Sequence, residues 1–311
     1  MNYSSRLYDY NRLLGLGLLF HISHLETYQT FLPQYSSRFW LVPGWHNFFS
    51  HQFFFVVFSG VFMGAIGLIV KPSRFVLLWI CIFGLLDYFT FSFRVVNHYL
   101  VILGILWYQL LSNIIFRDSI RQSEKIIFGI RLIFFLSFFS AAVHKLNSSY
   151  WLPDPRESFG AFVIERAFEK LLLPIKPPTF FFSLSIFVSV AFEGLAIPII
   201  LSLGLNRFLA IIGYLVFWFF VLLTIRGPDY TFFSMILSIL LIDESDWQAI
   251  RVLGRWPQGT LPILIFACLS VWLFLGDSGW RLSIHTVWAV LWSFLMAGFI
   301  RIYYRRVKCA S

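Results

Sequence analysis

Long apolar runs, separated by short polar connections, constrain this chain more than any other feature of its sequence. Two examples are "HQFFFVVFSGVFMGAIGLIV" at 51–70 and "FLAIIGYLVFWFFVLLT" at 208–224. A helix of about 20 apolar residues crosses the ~30 Å hydrocarbon core of a bilayer. Of the 311 residues, 59% are hydrophobic and 13% are charged, whereas soluble domains carry about 25% charged residues. The sequence therefore predicts an all-α fold, a polytopic membrane helical bundle.

We predict nine to ten transmembrane helices over residues 1–311. They form a single membrane domain without a separate soluble domain, because no polar stretch is long enough to fold alone. The first run becomes polar halfway and the eighth is short, which leaves the count at nine or ten. The predicted spans are roughly 11–31, 51–70, 74–93, 95–116, 126–146, 178–203, 206–225, 229–242, 260–276 and 282–303.

The distribution of basic residues predicts the orientation of these spans. With the N-terminus inside, cytoplasmic segments hold most of the lysines and arginines, and the outer connections hold about one each. Both termini are therefore expected in the cytoplasm. The long connection 147–177 then lies outside, where "ESFGAFVIERAFEKLLLP" has the apolar spacing of an extracytoplasmic amphipathic helix on the membrane surface.

Composition and motif spacing exclude several classes of function. The net charge is +9, but the basic residues do not form a groove-sized patch, so no nucleic-acid partner is expected. The three cysteines form no C-x-x-C pair, and no cleavable signal peptide is expected. His21 and His24 share a helix face, as a metal pair or a structural pair, but Glu26 is at the wrong offset to complete a site. No metal is expected.

Ionisable residues within the apolar runs need a partner or a purpose, because charge in hydrocarbon is costly. In the predicted topology Asp87, His98, Lys145 and Asp229 come from four spans and share one depth on the outer side. They either snorkel to the headgroups or line one cavity. Asn97 and His98 are also explained by an interhelical hydrogen bond. Glu193 lies in mid-span, where it either pairs with Arg131 or contributes to a site.

The stretch "FFSAAVHKLNSSYWLPD" at 138–154 resembles a motif of two related groups. These are the vitamin K-dependent gamma-glutamyl carboxylases and the bacterial proteins with a horizontally transferred transmembrane (HTTM) domain. In that family, small and aromatic residues lead into a basic pair, and a tryptophan follows. Lys145 matches the catalytic lysine, His144 the basic residue before it, and Trp151 the tryptophan.

The resemblance extends over most of residues 10–245. "LLDYFTFSFRVVNHYLVILGIL" is similar to the family's stretch in which an aspartate precedes an Asn-His pair, here Asp87, Asn97 and His98. Asp229 and Tyr230 stand where the carboxylases have polar residues near the substrate. The chain departs from the carboxylases after residue 245, where two apolar runs replace their large luminal region.

The resemblance implies a membrane enzyme that uses a reduced naphthoquinone (vitamin K hydroquinone or menaquinol) and O2 to generate a strong base on the extracytoplasmic side. Lys145 would deprotonate the hydroquinone, and His98 would support it. Carboxylation with CO2 and another modification of a peptide or protein both remain open. Implied contacts to cofactor or substrate are Asn97, His144, Asp87, Asp229, Tyr230, Trp151 and Glu193.

Two other classes of function remain open. One is a maturation factor for a small secreted toxin peptide, as some HTTM proteins are. The other is a transporter with a polar cavity, although the symmetric broken spans typical of transporters are not evident in the sequence.

Overall fold

The structure, a computed structural model, describes residues 4–23, 51–88, 97–115, 119–146, 165, 179–224, 228–253 and 279–310. Within these ranges the chain is all-α, as predicted, with eleven α-helices and no strand. The helices are α1 (Ser5–Ser23), α2 (His51–Val70), α3 (Arg74–Asp87), α4 (Asn97–Ile115), α5 (Ser119–Leu146), α6 (Thr179–Gly194), α7 (Ala196–Ser202), α8 (Arg207–Thr224), α9 (Pro228–Leu237), α10 (Glu244–Leu253) and α11 (Gly279–Ala310).

The chain forms two compact units, Met1–Ile133 and Phe134–Ser311, and the boundary falls within α5. In the first unit, α1 packs on α2, α2 on α3 and α3 on α4. The turn between α2 and α3 contains Pro72, and the Ser73 hydroxyl caps α3 by accepting the N–H of Val76 at 3.2 Å. The indole of Trp79 donates to the Gly60 carbonyl at 2.8 Å, which ties α3 to α2.

Helix α1 covers the last turn of α2. The Arg12 guanidinium donates to the Ile69 carbonyl at 2.7 Å, and the Tyr8 hydroxyl donates to the Val70 carbonyl at 3.4 Å. These carbonyls belong to the last turn, where a helix has no backbone donors of its own to offer. A cation at this end also interacts favourably with the helix dipole. The two side chains of α1 thus complete the end of α2.

In the second unit, α8 packs against α7, α9 and α11. The Tyr214 hydroxyl of α8 donates to the Ser234 carbonyl of α9 at 2.9 Å, and the Trp292 indole of α11 donates to the Leu215 carbonyl at 2.9 Å. Both bonds are buried. Tyrosine O–H and tryptophan N–H groups usually have a hydrogen-bond partner when they lie in a core. Helix α8 is therefore the centre of this unit.

Two elements differ from the sequence prediction. The run 178–203, predicted as one span, is interrupted at Leu195 between α6 and α7. Pro198 has no N–H to donate to the Gly194 carbonyl, which explains why the helix breaks there. Helix α10 occupies what was predicted as a cytoplasmic connection. Its acidic first turn, Arg251 in the last turn, and buried Trp247 and Ile250 make it a short amphipathic helix.

One described segment, Gln122–Val143 in α5, is long and apolar enough to cross a membrane. Buried core helices of soluble proteins can be equally long and apolar. Four other described apolar segments are shorter: Val56–Val70, Tyr99–Ile115, Arg207–Phe219 and Thr231–Leu241. The predicted span at 260–276 and the amphipathic helix within 147–177 lie outside the described residues, apart from Glu165, which is helical.

Candidate functional site

The candidate catalytic lysine lies in the last turn of α5. Lys145 follows the apolar segment Gln122–Val143 by two residues, and the helix ends at Leu146. His144 and Lys145 are therefore placed by the same helix that carries the candidate membrane span. Their side chains lie outside the described part of the structure, so their position is defined by the backbone of the helix.

Helix α6 packs against the end of α5 one turn before this lysine. The Ala142 Cβ lies 3.1 Å from the position that a Cβ on Gly194 would occupy. The absence of a side chain at Gly194 lets the two helices approach closely. Glu193 precedes Gly194 in the chain and is therefore adjacent in sequence to this contact. The sequence prediction placed Glu193 in mid-span, either paired with Arg131 or contributing to a site.

Glu193 is 8% exposed, so its side chain faces protein. Arg131, its predicted partner, is half-buried on α5. The two residues fall in different compact units, and an ion pair between them stays a prediction. A buried carboxylate needs hydrogen bonds or an opposite charge, because desolvation disfavours its ionised form. Glu193 is the one acidic residue of α6 and adjoins in sequence the glycine that contacts Ala142.

Aromatic rings connect three helices of the second unit. Phe138, two turns before Lys145 on α5, lies 5.7 Å from Trp218 on α8, measured between ring centroids. Phe192 stacks on Phe217 at 5.2 Å, and Phe217 contacts Trp218 edge to face at 5.2 Å. The cluster joins α5, α6 and α8 at a level about two turns before the end of α5. Sequence periodicity did not predict it, because ring contacts between helices depend on their crossing.

Within the first unit, the predicted residues Asp87, Asn97 and His98 lie at neighbouring helix ends. Asp87 ends α3 and is half-buried, and Asn97 and His98 begin α4. The Tyr88 and Tyr99 rings stack at 6.4 Å between centroids. Since these tyrosines adjoin Asp87 and His98, the two helix ends that carry the predicted residues are neighbours. The side chains of Asn97 and His98 themselves are outside the described residues.

Asp229 and Tyr230 follow Pro228 in the first turn of α9, where a proline is favoured because its missing N–H is not needed. Their side chains are not described, and Trp151 and His24 lie wholly outside the described ranges. The prediction that Asp87, His98, Lys145 and Asp229 line one cavity involves both compact units and stays a prediction. Among described residues, no group of three His, Cys, Asp or Glu side chains is arranged for a metal ion.

No family model, no curated protein and no solved structure matches this chain.

Proposed function

We propose that the chain is a polytopic integral membrane protein with nine to ten spans, an outer amphipathic helix and both termini in the cytoplasm. The distribution of apolar and polar side chains supports this. Phe187 on α6 is 70% exposed and Phe128 on α5 is 65% exposed, whereas Asn11, Gln109 and Ser293 are fully buried. An apolar exterior around polar interior groups is stable in lipid and unfavourable in water.

The candidate span itself has the same character. Exposed apolar residues recur along one face of α5 at intervals of three and four, which is one side of a helix. These residues are Phe128, Leu132, Leu136, Phe139 and Val143. Only 39% of the apolar window is buried inside the protein. Acyl chains are the partner that such a stripe fits.

We further propose that the chain is a membrane enzyme of the quinone-dependent carboxylase type, with its site toward the extracytoplasmic side. The observation that carries this proposal is the position of Lys145, in the last turn of the helix with the candidate span. The family resemblance of "FFSAAVHKLNSSYWLPD" and the Asn-His motif adds to it. The substrate side of the reaction would be a peptide or protein, with or without CO2.

Lys145 and His98 are suited to a hydroquinone, because a neutral lysine amine accepts a proton and an imidazole donates a hydrogen bond to oxygen. A bound reduced naphthoquinone would supply, with O2, the strong base that removes a proton from carbon. Lys145 would accept the hydroquinone proton at Nζ, and His98 would donate to the oxygen. Asn97, His144, Asp87, Asp229, Tyr230, Trp151 and Glu193 would orient cofactor and substrate. The aromatic cluster beside α5 would exclude water.

The test replaces Lys145 by alanine and by arginine in the full chain and measures oxygen-dependent consumption of a reduced menaquinone analogue in proteoliposomes. Both variants should lose activity by at least about 10²-fold, the contribution typical of a general base. Arginine should fail as completely as alanine, since a guanidinium stays protonated at neutral pH and cannot accept a proton.

Lys125→Ala is the matched control, because Lys125 is an exposed lysine near the other end of the same helix. It should retain the activity of the unchanged protein. Turnover retained in Lys145→Arg would show that position 145 supplies charge rather than basicity, and the catalytic role would be wrong. Membrane insertion of each variant is checked by alkaline extraction, which separates loss of activity from loss of the folded protein.

A further inference from the structure

Among the described residues of the first unit, three side chains with 0% exposure have polar atoms without a hydrogen-bond partner. They are the hydroxyl of Tyr10 and both amide atoms of Asn11 and of Gln109. Buried polar groups in folded proteins are almost always paired, because an unpaired one loses its bonds to water without replacement. Carboxamides both donate and accept. A ligand that pairs with these side chains must therefore both donate and accept hydrogen bonds.

Polar residues connect Tyr10 and Asn11 to the surface along α1. Glu124 on α5 is exposed, and its carboxylate accepts a bond from the Arg6 guanidinium at 2.7 Å. Arg6 is buried, and Tyr10 lies one turn further along the same face of α1. Asn11 adjoins it. From the surface inward, the order of side-chain groups is therefore an exposed carboxylate, a buried guanidinium, a buried phenol and a buried amide.

A second row of polar residues follows α4. The half-exposed Gln122 of α5 donates to the Asn113 side chain at 2.9 Å. The Asn113 amide in turn donates to the backbone carbonyl of Gln109 at 2.7 Å. Gln109 is one turn from Asn113, and its own amide is the end of the row. Both Asn113 and Gln109 are fully buried.

The two rows begin within three consecutive residues of α5. Gln122 and Glu124 flank Ser123, whose hydroxyl accepts the backbone N–H of Ser4 at 3.1 Å. Three consecutive residues near the start of α5 therefore anchor both α1 and α4. From this common origin each row runs one to two turns, or about 5–10 Å, into the helices.

We propose that Tyr10, Asn11 and Gln109 line a hydrated polar site that water enters from the end of the unit where α1 and α5 begin. The ligand is neutral. Among the described residues, the cation in these rows is the Arg6 guanidinium, which is already paired with Glu124 and so disfavours an anion. A cation would find no carboxylate among the three lining residues. Water supplies donors and acceptors together and is small enough to occupy buried polar sites. The proposal does not depend on the enzymatic function.

The first test uses the unmodified protein in detergent and measures oxidation by radiolytic hydroxyl radicals, which are generated from water beside the side chain they label. Tyr214 is the matched control, since it is also fully buried but its hydroxyl is bonded to the Ser234 carbonyl. Tyr10 should be oxidised at least about tenfold faster than Tyr214, as expected where exchanging water is in contact. Equal protection of the two tyrosines overturns the proposal.

The second test measures the reaction of single cysteines with a small neutral reagent, 2-hydroxyethyl methanethiosulfonate. Asn11→Cys and Gln109→Cys should react at least about tenfold faster than Leu14→Cys and Leu106→Cys, because the reagent follows the water. Both control positions are fully buried one turn away on the same helices. The native cysteines are first replaced by alanine: Cys81, Cys268 and Cys309.

Each cysteine variant is compared only if it elutes as a monodisperse peak. If Asn11→Cys or Gln109→Cys fails to do so, Tyr10 oxidation in the unmodified protein decides alone. Polar-site rates within about threefold of the leucine controls overturn the proposal, because a sealed site would treat all four positions alike.

Discussion

Asp246 and Asp243 contact the same arginine and differ in their exposure to solvent. The Arg207 guanidinium donates to both carboxylates, but the Asp246 side chain is 6% exposed and that of Asp243 is 62% exposed. Asp246 also accepts from Arg306 on α11, and both guanidinium groups lie 5.2 Å from the centre of the Phe208 ring. At the residue scale, one buried carboxylate therefore joins α8, α10 and α11.

We predict that Asp246→Ala lowers the free energy of unfolding by about 3 kcal/mol, because it leaves partly buried guanidinium groups without their shared anion. Asp243→Ala should cost less than about 1 kcal/mol, since exposed ion pairs contribute little. Thermal unfolding of the two purified variants under identical detergent conditions measures the difference. Equal destabilisation would mean that burial does not separate the roles of the two carboxylates.

At the scale of elements, the contact between α1 and α2 depends on a glycine. A Cβ at Gly15 would lie 2.7 Å from the Ala65 carbonyl oxygen and 2.9 Å from the Leu68 Cβ. Gly104 on α4, in contrast, has no other helix or side chain of the described residues within 4 Å of such a Cβ. The same substitution at these two helical positions should therefore have opposite effects.

Gly15→Ala should destabilise the protein by about 1–3 kcal/mol, because the added methyl group forces two helix backbones apart. Gly104→Ala should be neutral or stabilising by up to about 1 kcal/mol, since alanine is the better helix former. Melting temperatures of the two variants test this. A Gly15→Ala variant as stable as Gly104→Ala would show that the helices separate without cost.

At the scale of the whole molecule, the proposed topology predicts which positions a membrane-impermeant maleimide reaches in intact cells. In a cysteine-free background, Lys71→Cys and Lys125→Cys should be labelled only after permeabilisation, because positive charge stays cytoplasmic. Ser148→Cys, in the connection predicted outside, should be labelled without it. Labelling of Lys125→Cys in intact cells would reverse the proposed orientation.

The all-α class and the positions of several helices followed from local patterns in the sequence. The runs at 51–70 and 206–225 match α2 and α8 to within one residue, since apolar runs bounded by basic residues, Pro and Gly mark helix ends locally. The same pattern shows that Lys145 follows an apolar run, whereas its catalytic role is implied by the family resemblance and stays a prediction. The all-α class is confirmed in the described residues.

Contacts between helices were not predictable in this way. The burial of Asn11 and Gln109, the approach of Gly194 to Ala142 and the anchoring of Arg207 and Arg306 at Asp246 are visible only in three dimensions.

Hydrophobic periodicity indicates which face of a helix is apolar and which is polar. The sequence by itself therefore determined that this chain forms apolar helices and that Lys145 lies near the end of one of them. Which face meets which partner depends on crossing angles and on the packing of many side chains at once. The tertiary structure alone therefore decided which polar residues are buried, which are paired, and where α6 approaches α5.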